Sequence, residues 1–188
     1  MALAEAGAPP DGAIGRWAER ITRPLRVFVD TAAASGSWSA DHVLAVRTAF
    51  DRWVATGIPI RLTFVASPAH ADVTVRTVAR LAEGISGRTT WRRNAAGWLR
   101  EGTIWLARIH ADGAPLSPEE LHAVALHEVG HLLGLSHVAD PTRIMAPRIR
   151  ARSLSPMDEA TIRQLYGVPA GTVGPEEPNA FDSVPPPR

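Results

Sequence analysis

The sequence predicts an α+β domain of about five strands and two long helices, closed by a terminal helix. Three observations carry this expectation. Short β-branched and aromatic segments recur between residues 25 and 109. One long amphipathic stretch interrupts them. Two Ser-Pro helix starts, at Ser117 and Ser155, add helices in the last third of the chain.

Taken in order, Leu25–Val29 reads as a first strand by its content of β-branched and aromatic residues. Ser39 can cap a helix over Asp41–Ala55, whose Val43, Val46, Phe50 and Trp53 share one apolar face. Ile60–Val65 and Val73–Val78 alternate as strands do. Arg88–Arg92 and Thr103–Ile109 follow as two more, separated by a turn around Asn94–Gly97. Ser117-Pro118-Glu119-Glu120 combines a capping box with proline at the first helical position, so a helix opens there. Ser155-Pro156 opens the last helix in the same way, and Gly167 can end it. No internal repeat is present.

The helix opened by Ser117 leads into His127-Glu128-Val129-Gly130-His131-Leu132-Leu133-Gly134-Leu135-Ser136-His137, which reads H-E-x-x-H-x-x-G-x-x-H. For this composition the pattern arises by chance in about 4 of 100,000 such chains, so it carries information. On a helix His127 and His131 lie about 40° apart and one turn along, so both imidazoles can reach one metal ion. Glu128 sits one step round, where its carboxylate can reach a metal-bound water without being a ligand. Gly134 can take the left-handed conformation that ends a helix, and the chain then returns His137 as a third ligand. Three imidazoles on Zn²⁺ leave a fourth position for water, as a catalytic zinc requires. A His-x-x-x-His pair alone would be more often structural; Glu128, Gly134 and His137 reverse that balance. His42, His70, His110 and His122 are read as ordinary histidines.

Downstream stand Ile144-Met145-Ala146-Pro147, then Leu154-Ser155-Pro156-Met157-Asp158 and Ile162-Arg163-Gln164-Leu165-Tyr166-Gly167. With the zinc motif, these residues resemble the metzincin metallopeptidases, and among them the matrixins, most densely over Glu120–Gly167. The resemblance implies a metzincin-like, twisted mixed sheet and a C-terminal subdomain with a methionine turn and the terminal helix. It implies a bacterial-type matrixin catalytic domain that hydrolyses extended peptide substrates as a zinc endopeptidase. Met145 would be the apolar floor of the zinc site and Glu128 the catalytic base. The strand near Gly87–Arg92, with Arg88 and Thr90, would pair with substrate. The loop from His137 through Pro147 to Ser155 would wall the pocket after the scissile bond. Val138 departs from the small polar residue common after the third His. With no Cys, a prodomain cysteine switch cannot operate within this chain. Val75–Arg88 is too short for the His-rich and Asp/Gly-rich loops of the family, so neither structural calcium nor a second zinc is expected beside the one catalytic Zn²⁺.

Length and composition suit one catalytic domain over residues 21–167. Residues 1–20 are expected to be disordered, and Pro-rich residues 168–188 to form a mobile tail. A net charge of +1, with dispersed arginines and no Lys, argues against nucleic acid as a partner. No apolar run reaches the 18 or more residues of a membrane span. The expected partner is a peptide or protein substrate, and the chain is expected to be a monomer. The resemblance implies a secreted or extracellular location, although no signal peptide is visible at the start. Arg143, Arg148, Arg150 and Arg152 cluster in the wall loop, as a solvated basic rim or as a selector for acidic residues on the primed side. The alternative function is a catalytically silent zinc-binding or adhesion module on the same fold.

Overall fold

The alternating segments pair into one six-stranded sheet, as the computed structural model shows for residues 15–31, 38–94 and 98–168. The elements run β1 (Arg16–Trp17), β2 (Arg20–Val29), α1 (Ala40–Val54), β3 (Ile60–Phe64), β4 (Val73–Val78), β5 (Gly87–Arg93), β6 (Trp98–Ala107), α2 (Pro118–Leu132) and α3 (Pro156–Gly167). The sheet order is β1-β6-β4-β2-β3, with these neighbours parallel. β5 pairs antiparallel with β6 and has no second strand neighbour among the described residues. The sheet is therefore mixed but mostly parallel, and parallel pairs such as β2 and β3 need a crossover, which α1 supplies.

One face of the sheet is packed. Val27 and Val29 of β2, Val73 and Val75 of β4, and Ile104 and Leu106 of β6 are buried at every second position. α2 lies against β5 and β6, and α1 lies against α2 and β3. Within α1 the buried positions are Val46, Ala49, Phe50 and Trp53, with Val43 only half-buried. α2 buries ten of its fifteen residues, so the motif-bearing helix is the centre of the core rather than its surface. Two fully buried tryptophans tie it down: Trp53 Nε1 donates to the Leu126 carbonyl and Trp17 Nε1 to the Leu132 carbonyl, each at 2.8 Å. Among the described residues no helix is long and apolar enough to cross a membrane.

Several expectations shift. Composition predicts disorder over residues 1–20, yet Trp17 is completely buried and β1 pairs with the start of β6. A single tryptophan with a helix carbonyl to bond gives no periodic pattern, which is why composition alone missed it. β2 starts five residues before Leu25, and the sheet has six strands rather than five. β6 spans Trp98–Ala107 rather than Thr103–Ile109. Residues 1–14, residues 95–97 of the turn near Asn94, and residues 169–188 of the expected tail lie outside the described residues.

Candidate active site

α2 begins as the capping box dictates: Ser117 Oγ accepts from the Glu120 backbone N–H, and the Glu120 carboxylate accepts from the Ser117 N–H. It ends at Gly134, whose φ of +103° only glycine adopts without strain. The Leu135 N–H reaches back to the Gly130 carbonyl and the Gly134 N–H to that of His131, the two bonds of a Schellman cap. Trp17 and the Tyr166 hydroxyl take the remaining terminal carbonyls, Leu132 and Leu133. The end of the helix is thus fixed on every side, and the reversal brings His137 back over His127 and His131.

The three Nε2 atoms converge, with His127–His131 at 3.0 Å and His137 at 3.2 Å from each. His127 Nδ1 donates to the Ile144 carbonyl at 2.7 Å and His131 Nδ1 to the Leu135 carbonyl at 2.8 Å. With the proton on Nδ1, Nε2 of both rings presents a lone pair to the common centre. A tetrahedral zinc at 2.0–2.1 Å from each nitrogen would hold them about 3.3–3.4 Å apart, so the donor set fits that ion. Among the described residues, this is the one group of three or more His, Cys, Asp or Glu arranged to hold a metal. Burial keeps the rings neutral: it pushes His127 down to about 4 and His131 to about 3, with the neighbouring imidazole adding to the effect, and it also lowers His137.

Glu128 is buried beside this centre. Burial raises its carboxyl to about 7, against the opposing pull of the Thr89 hydroxyl and the Arg88 charge. Thr89 Oγ1 lies 2.6 Å from Glu128 Oε2 and 3.0 Å from the Glu128 carbonyl. On the other side Gly87 leaves room for the carboxylate, since a Cβ there would collide with Oε1.

Beyond His137 the chain folds back. The Val138 N–H donates to the Met145 carbonyl at 3.0 Å, and buried Met145 sets its sulfur against Gly130, within the turn between the two helical histidines. A buried ion pair anchors this segment to α3: Arg143 Nε lies 3.0 Å from Asp158 Oδ1, with side chains 4% and 0% exposed. Asp158 Oδ2 also accepts from the Ile144 N–H and from Ser155. Arg143 therefore leaves the predicted basic rim. Its charge is spent inside the molecule.

A cleft of about 960 Å³ opens over the three histidines and Glu128. Arg88, Pro147, Arg148 and Arg152 line it, and Thr90 does not. Thr89 turns toward α2, where it bonds to Glu128, whereas the side chain of Thr90 stands beside that of Thr103 on the other face of β5; Arg88 shares that face and still meets the cleft. Thr89, Trp91, Leu116 and Val124 line the cleft without having been singled out in the sequence. Thr89 had no local signal, because only the packing of β5 across α2 brings it to Glu128.

Comparison with known proteins adds the following. The family model Peptidase_M10, matrixin, matches residues 89–167. The chain is 35% identical to matrilysin of Felis catus over 162 residues, which cover 78% of this chain and 55% of that protein. It is 42% identical to metalloendoproteinase 1 of Glycine max over 69 residues, covering 34% and 23%. It is 28% identical to metalloendoproteinase 1-MMP of Arabidopsis thaliana over 142 residues, covering 69% and 39%. The chain spans about half or less of the length of these relatives.

Proposed function

We propose, from the premise that this chain is a matrixin-like metzincin, that it is a zinc-dependent endopeptidase acting on extended peptides. The observation that carries the reading is the convergence of three imidazole Nε2 atoms beside a buried carboxylate at the floor of an open cleft. His127, His131 and His137 would hold the metal through Nε2. Zinc, when bound, supplies Lewis acidity, which acidifies water and polarises a peptide carbonyl.

The remaining chemistry belongs to the side chains. Glu128 would take a proton from the attacking water and deliver it to the departing amine. Its burial disfavours the charged form, so the carboxylate is a stronger base than a solvated one. The open edge of β5, the strand that carries Arg88 and Thr90, supports β-strand pairing with an extended substrate. Pro147 and the residues after it would wall the pocket for the side chain following the cut. Met145 suits the methionine-turn position as an apolar floor. A module that only bound zinc would have no use for a carboxylate buried next to the ligands.

The test is digestion of casein by the 188-residue chain, with and without a chelator, alongside zinc analysis. Chelator-sensitive cleavage and about one zinc per chain are the expected results. A zinc-loaded protein that leaves casein and a random peptide library intact overturns the proposal and favours the silent module.

A further inference from the structure

Thr89 stands on β5, and the base it touches stands on α2, 39 residues away in sequence. Both side chains are largely buried, at 7% and 4% exposure. A carboxylate has two oxygens, and here they meet different surroundings. Oε2 is bonded to the Thr89 hydroxyl at 2.6 Å. Oε1 faces Gly87, a cleft-lining residue without a side chain. We propose that Thr89 is a positioning residue for the general base: its hydroxyl pins Glu128 Oε2 and thereby turns Oε1 toward the cleft as the oxygen that exchanges the proton. This rests on the endopeptidase reading and deepens it.

The geometry suits both forms of the base. One hydroxyl carries one proton and can accept as well. While Glu128 is a carboxylate, the Thr89 proton points to Oε2. With Glu128 carrying the proton on Oε1, Oε2 is a carbonyl-type oxygen and still accepts from the same hydroxyl, 2.6 Å away. The carboxyl group keeps one orientation throughout. A valine in place of Thr89 would fill the same space and do neither.

The experiment compares Thr89→Val and Thr89→Ser with wild type on a peptide that the wild type cleaves, together with zinc content. Hydrogen bonds to charged groups are strong enough that Thr89→Val should lower kcat by at least about ten-fold. KM and zinc content should stay near wild type, and Thr89→Ser should restore most of kcat. A Thr89→Val enzyme with kcat within about two-fold of wild type overturns the proposal, as does a loss that falls on KM alone. A readout independent of activity is the Tm of the zinc-free protein in a double-mutant cycle of Thr89→Val and Glu128→Ala. The double variant should lose less than the sum of the two single losses; strict additivity overturns the claim. If the wild type cleaves nothing, the endopeptidase reading falls, and the Tm cycle still decides whether Thr89 holds Glu128.

Discussion

His127 donates its Nδ1 proton to the carbonyl of Ile144 at 2.7 Å, across 17 residues of chain. The N–H of the same Ile144 donates to Asp158, which is also paired with Arg143. The His127 ring is therefore held by a relay that ends in a buried ion pair at the start of α3. Removing one partner of such a pair leaves an uncompensated buried charge and costs about 3–5 kcal/mol. Asp158→Ala is expected to lower stability by that order in denaturant unfolding, and to weaken zinc retention against a competing chelator. A variant with wild-type stability and zinc retention would disconnect α3 from the site.

Met145 is nearly completely buried with its sulfur on Gly130. A volume-conserving change to Leu should cost less than about 1.5 kcal/mol. Met145→Asp places an unpaired charge beneath the helix turn and should greatly reduce both folding stability and zinc content. Unchanged zinc content and Tm for Met145→Asp would deny it the role of floor.

Acid should loosen the zinc-free protein through its histidines. His127 and His131 are held at about 4 and about 3 in the fold, against an ordinary 6.5. Between these values the unfolded chain binds protons that the folded chain refuses. The associated stability is thus complete above pH 6.5 and is lost as pH falls toward 4. Tm should fall over that interval, less steeply above pH 4.5 because Glu128, raised to about 7, takes up a proton there in the folded state, and His131→Leu should flatten the whole profile. Identical profiles for wild type and His131→Leu would contradict the assignment. Zinc should be released over the same acidic range, because the ligands must be neutral.

Much of this site was legible because the motif is local: His127, Glu128, His131, Gly134 and His137 are placed by helix geometry and one glycine turn. The helix starts at Ser117 and Ser155 were legible for the same reason. What was not legible is long-range. Trp17 is held by the Leu132 carbonyl and by the pairing of β1 with β6, neither of which leaves a local pattern in the sequence. The sequence does not single out Thr89 from Arg88 and Thr90, since the strand pattern gives the period and leaves open which face meets α2. Arg143 looked like its neighbours Arg148 and Arg152 until Asp158 was placed beside it.

With Arg143 buried and Arg150 not lining the cleft, its basic rim is reduced to exposed Arg148 and Arg152, with half-buried Arg88 on the strand side. Arg152 has only a loose contact with Glu119, at 3.9 Å. Exposed charge pairs are weak, so acidic primed-side residues should raise kcat/KM by about two- to five-fold at low salt. The gain should fade as salt screens it. A peptide series varying only primed-side charge measures this, and equal rates for Asp and Lys peptides would leave the arginines without a part in selection.

The most direct measurement compares Glu128→Gln with wild type for zinc content, Tm and proteolysis of the same peptide. Glutamine keeps the shape of the side chain and can still bond to Thr89, but it cannot take a proton. The account predicts wild-type zinc content, a well-folded protein and a loss of turnover of at least about 10²- to 10⁴-fold, the range for general acid–base groups. Turnover near that of the wild type, in a variant that binds zinc normally, would contradict it.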